Sequence, residues 1–202
     1  MKIIQPATIL VLLGLLGTPL PAQTKQLDDK DLAAIDSKPK VSKPRFIPKS
    51  SSKGPVVEKG RQYIFTAKGA QSKAARVISM SDGSKVTTPL VNVPLLFKRN
   101  QAVLADSQSQ ANLKVLATKL TSLPTAKFCI EGHASAEGEK SHNQKLSEAR
   151  ARTIRQALEL LGVPASSFTT TTGLGSNHAQ HPAHSSESSL AQDRRVLLIR
   201  EH

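Results

Sequence analysis

Apolar positions in the second half of the chain repeat first with one period and then with another. Val93, Leu95 and Phe97 alternate, as side chains on one face of a strand do. Pro94 inside that run has no N–H to donate, so it belongs at a strand start or edge. Leu113, Leu116, Ala117 and Leu120 then form the stripe of an amphipathic helix, with Asp106 or Ser107 as its cap and Pro124 as its stop. Phe128 to Glu131 is a short, mostly apolar run closed by Gly132, the pattern of a second strand. A second helix is predicted from about Asn143 to Leu161, ending at Gly162 with Pro164 beyond. Phe168 to Thr172 reads as a third strand, residues 174–190 as a polar loop, and Arg195 to Arg200 as a fourth strand. The order β-α-β-α-β-β predicts an α+β fold, one mixed sheet with helices on one face.

The first half is organised differently. Lys2, then the apolar run from Thr8 to Leu16, then Pro19, Pro21 and Ala22 read as a signal peptide over residues 1–22. The run is short for a membrane span, and no cysteine stands near the expected cut to carry a lipid. Residues 23–55 are rich in Lys, Pro, Ser and Asp, and Lys38-Pro39-Lys40 and Lys43-Pro44-Arg45 favour extended, solvated backbone. A disordered basic linker is therefore expected there. In residues 56–90, Arg76 to Met80 and Lys85 to Thr88 flank Asp82-Gly83, a hairpin turn signal. That segment is read as a short β-hairpin extension, followed by the folded domain over residues 91–202. Residues 23–90 lack the series of alternating strands from which an outer-membrane barrel is built.

One position breaks the amphipathic pattern. Taking about 100° per residue from Leu146, Arg150 falls at about 40°, between Ala157 at about 20° and Ile154 at about 80°. Arg152 and Arg155 fall at about 240° and 180°, with the solvent-facing residues. A guanidinium inside an apolar stripe must be paired or must snorkel outward, because an unpaired buried charge is costly. Arg150 therefore faces an internal carboxylate or an anionic ligand.

Composition adds a bias. Hydrophobic residues make up 38% of the 202-residue chain and aromatics 3%, with no Trp, which is lean for a chain packed throughout. The formal net charge is +13. Residues 3–90 hold 14 Lys and Arg against 6 Asp and Glu, whereas residues 91–202 hold 13 against 9, so the excess sits toward the N-terminus. Such a balance suits anionic partners. The interleaving of basic and aromatic residues found in nucleic-acid binders is missing, so no nucleic acid is expected. Cys129, the sole cysteine, cannot form an intrachain disulfide and reads as a core thiol.

Several spaced motifs then point to one family. Ile130-Glu131-Gly132-His133-Ala134-Ser135, Gly138, Asn143, Leu146-Ser147, Arg150-Ala151 and Ile154 are followed by Gly173-Leu174-Gly175, Pro182, Ala191 and Arg194-Arg195-Val196. Upstream stand Leu96-Phe97, Asn100, Leu104 and Leu116. Together these resemble the OmpA-like peptidoglycan-binding domain over about residues 93–200. The resemblance implies a β-α-β-α-β-β fold, no catalysis and no cofactor, and binding of the stem peptide of peptidoglycan through diaminopimelate. In the family a loop Asp takes the ammonium of that residue and a helix Arg takes a carboxylate. Arg150 matches the Arg, and a planar, permanently charged fork suits the task. Ser135 stands where the Asp is expected, and it brings no charge; a neutral bond in place of a charge-assisted one lowers affinity about tenfold. Glu137 is placed to supply the missing carboxylate. Asn143 and Arg194 complete the expected ligand-binding set of Arg150, Ser135, Glu137, Asn143 and Arg194. Asp193, where the family has Asn, is expected to pair with an arginine.

Two other constellations weigh less. His178, His181 and His184 recur at intervals of three in a polar loop, a spacing compatible with zinc but without Cys or carboxylates other than Glu187 nearby. Ser135 beside His133 lacks a third member and an oxyanion element. The expectation is an exported, periplasmic or outer-membrane-associated protein whose partner is peptidoglycan. Other envelope or secretion proteins and a second copy of the chain are further partners that this reading allows. The alternative is an envelope interaction protein that keeps the fold with wall binding lost or weakened.

Overall fold

A computed structural model of the chain describes residues 24–42, 58–66 and 73–201. The expected signal peptide, residues 1–22, lies outside the described residues, as do residues 43–55 of the expected linker.

Residues 24–42 of that linker are ordered, contrary to the expectation of a disordered segment over residues 23–55. Helix α1 spans Asp29–Asp36, and the Asp28 side chain caps it by accepting from the Asp31 amide at 2.9 Å. Asp29 and Asp31 in its first turn favour the positive end of the helix dipole. Strand β1 follows at Lys40–Ser42. Leu27 and Ile35 enter the main core, while Asn112 accepts from the Leu27 amide and donates to the carbonyls of Lys25 and Pro94. Arg200 donates to the Ile35 carbonyl at 2.8 Å, closing the C-terminal end of α1. The segment is a strap across the domain. A Lys/Pro/Ser-rich average hid the single apolar face formed by Leu27, Leu32 and Ile35.

Strands β2 (Glu58–Thr66), β3 (Lys73–Met80) and β4 (Lys85–Val93) come next, with Gly83 at φ 81° in the turn between β3 and β4. Then follow α2 (Ser107–Thr121), β5 (Phe128–Gly132), α3 (Lys140–Leu160), β6 (Phe168–Gly173), a short α4 (Glu187–Asp193) and β7 (Val196–Arg200). The sheet order is β2-β3-β4-β7-β5-β6, with β1 also on β4. The β5–β6 pair is parallel and the other pairs are antiparallel, so the sheet is mixed. Strand β4 pairs with β1 along Lys85–Thr87 and with β7 along Leu90–Val93. The strand expected over Val93–Phe97 ends instead at Val93, because Pro94 cannot continue the ladder. Phe97 keeps one isolated bridge to Leu104. The loop expected over 174–190 contains the start of α4, which Ser186 caps and Leu190 anchors in the interior.

Alternation divides the sheet into two buried faces. Val91, Val93, Phe128, Ile130, Val196 and Leu198 pack against α1, α2 and α3. Leu90, Cys129, Leu197 and Ile199 point the other way, against Tyr63 and Ala74 of β2 and β3. The helices thus lie on one face as expected, and the curled β2–β3 hairpin covers the other. A cut at residue 90/91, the expected domain boundary, would pass through β4.

Two glycines fix the seat of α3 on the sheet. A Cβ on Gly132 would stand 2.1 Å from the Ser147 carbonyl oxygen, and one on Gly173 would stand 2.2 Å from the Glu148 nitrogen. The helix backbone lies directly on β5 and β6, and that close approach sets where Asn143 and Arg150 point.

Candidate functional site

The loop 133–139 runs from the end of β5 to the start of α3 and is held from several sides. The His133 amide donates to the Arg195 carbonyl at 2.9 Å and the Ala134 amide to the Gly175 carbonyl at 2.8 Å. Asn143, buried one turn into α3, donates through Nδ2 to the carbonyls of Ser135 (3.2 Å) and Glu137 (2.6 Å). Gly138 has φ +75°, which a side chain would strain. An amide is the right group at position 143, because its paired donors satisfy two loop carbonyls that would otherwise be orphaned.

Ser135 is buried, and its hydroxyl donates to Glu137 Oε2 at 3.4 Å. Arg194 Nη1 lies 3.4 Å from the same oxygen, and Arg194 also pairs with Glu187. The Glu137 side chain is 48% exposed, so its pair with Arg194 stabilises by at most about 1 kcal/mol and exchanges easily for another cation. Four of the five expected ligand-binding residues therefore meet at the loop.

Arg150 stands apart from that hydrogen-bonded group. It is 4% exposed. Its Nε donates to the Gln101 carbonyl at 3.1 Å, and its guanidinium carbon sits 4.9 Å from the centre of the Phe97 ring. Gln101 is presented by a tight turn in which Asn100 has φ 53°. Among the described residues, no carboxylate lies within ion-pair distance of Arg150. Burial, reinforced by the positive charge of Arg194, pushes its pKa down to about 10. It stays protonated at neutral pH, so a partly desolvated cation is left with a carbonyl and a ring for company. The carboxylate or anion that the helix angle required is not supplied by the described residues. Arg152, by contrast, is exposed and pairs with Glu148 along the helix.

The histidine-rich loop is used structurally. Asp193, fully buried, accepts from the amides of Gln180 and His181 and pairs with Arg195 at 3.2 Å. His181 Nδ1 also lies 3.2 Å from Asp193, and His178 packs edge-on to Tyr63 at 5.0 Å. No group of three metal-ligating side chains assembles among the described residues.

A second polar centre was not anticipated. Glu131, fully buried in β5, accepts from Arg61 Nη1 (2.9 Å), Arg76 Nη1 (3.0 Å) and Tyr63 Oη (2.7 Å). Burial raises the Glu131 pKa, but the neighbouring His133, the Tyr63 hydrogen bond and the two guanidinium charges reverse this and hold it at about 2. Arg76 continues to Glu201 at 3.1 Å. Cys129 lies under this centre, its thiol pushed up to about 12 by burial and then by the Glu131 charge, which leaves it inert. The sequence signal was slight: a Glu at the end of a buried strand run, and an Arg opening another.

Comparison with known proteins gives these observations a family. The OmpA family model matches residues 96–194. The YfiB protein of Escherichia coli (strain K12) is 32% identical over 107 residues, 52% of this chain and 64% of that one, so the chain spans less than two thirds of this relative. The structure of the peptidoglycan-associated lipoprotein from Burkholderia pseudomallei is 30% identical, with 53% of this chain and 88% of that one covered and a TM-score of 0.46. A periplasmic domain of MotB from Helicobacter pylori is 16% identical, with 57% and 81% covered and a TM-score of 0.49.

Proposed function

We propose, from the premise that residues 96–194 are a domain of the OmpA family, that this chain is a non-enzymatic cell-envelope protein that holds peptidoglycan by its stem peptide. The observation that carries the reading is Arg150, buried in a helix face with a backbone carbonyl and a ring as partners and, among the described residues, no carboxylate in reach. A ligand carboxylate completes it: a bidentate bond to a guanidinium in a partly desolvated site is a strong, oriented contact. Diaminopimelate brings carboxylates and an ammonium. In this chain the ammonium falls to Glu137, whose weak pair with Arg194 is readily exchanged, with the Ser135 hydroxyl as a neutral second acceptor. Asn143 keeps the loop in shape, and Arg194 takes part through Glu137. The protein is then exported and works in the periplasm or at the outer membrane, with peptidoglycan as partner.

Calorimetric titration with a soluble stem tripeptide ending in meso-diaminopimelate tests this. Arg150→Ala is expected to weaken binding by about ten- to a hundredfold, or roughly 1.5–3 kcal/mol, and Arg152→Ala to leave it nearly unchanged. Equal affinities for wild type and Arg150→Ala would refute the assignment.

A second reading draws on one observation. Ser135 replaces the charged loop residue, and Glu137 is already engaged by Arg194, which together suit an envelope interaction protein with weakened wall binding. Ser135→Asp separates the two. A tighter tripeptide complex supports weak but real binding, and no binding by either form supports the alternative.

A further inference from the structure

The β2–β3 hairpin lies outside residues 96–194, yet it grips the residues that lead into the ligand loop. Its Arg61, Tyr63 and Arg76 converge on Glu131, the penultimate residue of β5. Two residues on, the His133 ring stands edge-on to Tyr63 with centroids 5.2 Å apart, and to His178 at 6.1 Å. His133 is 1% exposed, and neither ring nitrogen has a hydrogen-bond partner among the described residues; Nε2 is 3.8 Å from Glu131. The ring is thus held by edge-on packing against Tyr63 and His178 beside the Glu131 carboxylate. Ser135 follows after Ala134. The stretch 131–135 is thus clamped by the hairpin on one side and by the backbone of Gly175 and Arg195 on the other.

We propose that Arg61, Tyr63 and Arg76 are positioning residues, and that docking of the hairpin on Glu131 and His133 sets the binding-competent shape of loop 133–139. The inference rests on the wall-binding reading. Its physical basis is twofold. A buried carboxylate with three donors has a single favourable geometry, because loss of one donor leaves charge unsatisfied. A loop ordered in advance spares the ligand the cost of ordering it, so the hairpin raises affinity without touching the ligand. Coupling of this kind is reciprocal: ligand binding must tighten the hairpin contact by the same factor. Tyr63 is the sole tyrosine in a chain without Trp, so intrinsic fluorescence reports the surroundings of this one side chain, its bond to Glu131 included. A phenol hydrogen-bonded to a carboxylate is a quenched emitter, sensitive to small changes in that bond.

The test uses the full chain as wild type, Tyr63→Phe, which removes the hydroxyl and keeps the ring, and Tyr63→Ala. Amide exchange of residues 133–139 is followed by mass spectrometry, and binding by co-sedimentation with insoluble diaminopimelate-type peptidoglycan. Tyr63→Phe is expected to weaken binding roughly three- to tenfold and to speed loop exchange without altering exchange in α2. Tyr63→Ala should do both more strongly. Saturating the wild type with the soluble tripeptide should change Tyr63 emission. Unchanged loop exchange, or a loosened loop with unchanged binding, overturns the proposal, as does tripeptide binding that leaves the emission constant. A wild type that does not sediment contradicts the wall-binding reading instead, and loop exchange alone then decides whether the hairpin orders the loop.

Discussion

Arg150 and Glu131 are both buried and charged, and they solve the same problem in opposite ways. Glu131 is satisfied from within by three donors, so its charge strengthens the fold. Arg150 is left with one carbonyl and a ring, so its charge is available to something else. The contrast predicts how stability follows pH. The Glu131 pKa in the folded chain, about 2, lies below its ordinary value of 4.5. Its contribution is therefore complete above about pH 4.5 and disappears as pH falls toward 2, a loss on the order of 3 kcal/mol. His133 acts earlier and in the same direction: burial, with Arg195 beside it, lowers its pKa below 6.5, so the unfolded chain takes up the proton first and stability falls with acidification. Thermal melts between pH 7 and pH 3 should show this decline, and Glu131→Gln should flatten its lower part while lowering stability at pH 7. A wild-type and Glu131→Gln pair with parallel profiles would contradict the role given to Glu131.

At the scale of elements, the strap adds an N-terminal segment to the core. Leu27 and Ile35 are 4% and 2% exposed in the same core as Leu116 and Phe128. Ile35→Ala should destabilise the full chain by roughly 2–5 kcal/mol, and Asp28→Ala, which removes the α1 cap, by about 1 kcal/mol. Urea denaturation measures both, and a change below about 0.5 kcal/mol for Ile35→Ala would mean that the strap is not docked. What the sequence revealed follows from the range of the interactions. Helices α2 and α3 and strand β5 were legible because their periods, caps and stops are local, and Arg150 stood out because its angle is local too. The α1 strap was hidden because three apolar residues diluted among Lys, Pro and Ser show no average hydrophobicity. Glu131 was invisible as a junction because its partners sit 55 to 70 residues away and meet it only through the curl of the sheet. Ser135 and Glu137 were placed by resemblance, and their link to Arg194 needed the structure.

At the scale of the molecule, an OmpA family domain has been given two additions from its own N-terminal half: a strap over the helical face and a hairpin over the other. Both cover surfaces of the sheet: Leu27 and Ile35 of the strap join the core under the helices, and the hairpin lays Tyr63 and Ala74 against the opposite face. The basic excess lies mostly ahead of the domain, and attraction of that kind is screened by salt, whereas a buried guanidinium is screened far less. This difference separates specific binding from bulk charge. Co-sedimentation of the full chain with insoluble diaminopimelate-type peptidoglycan, at salt rising to about 0.5 M, tells a specific wall site from bulk charge. Wild type is expected still to pellet at the highest salt while Arg150→Ala stays in the supernatant. Release of both forms together at modest salt would contradict a specific wall site.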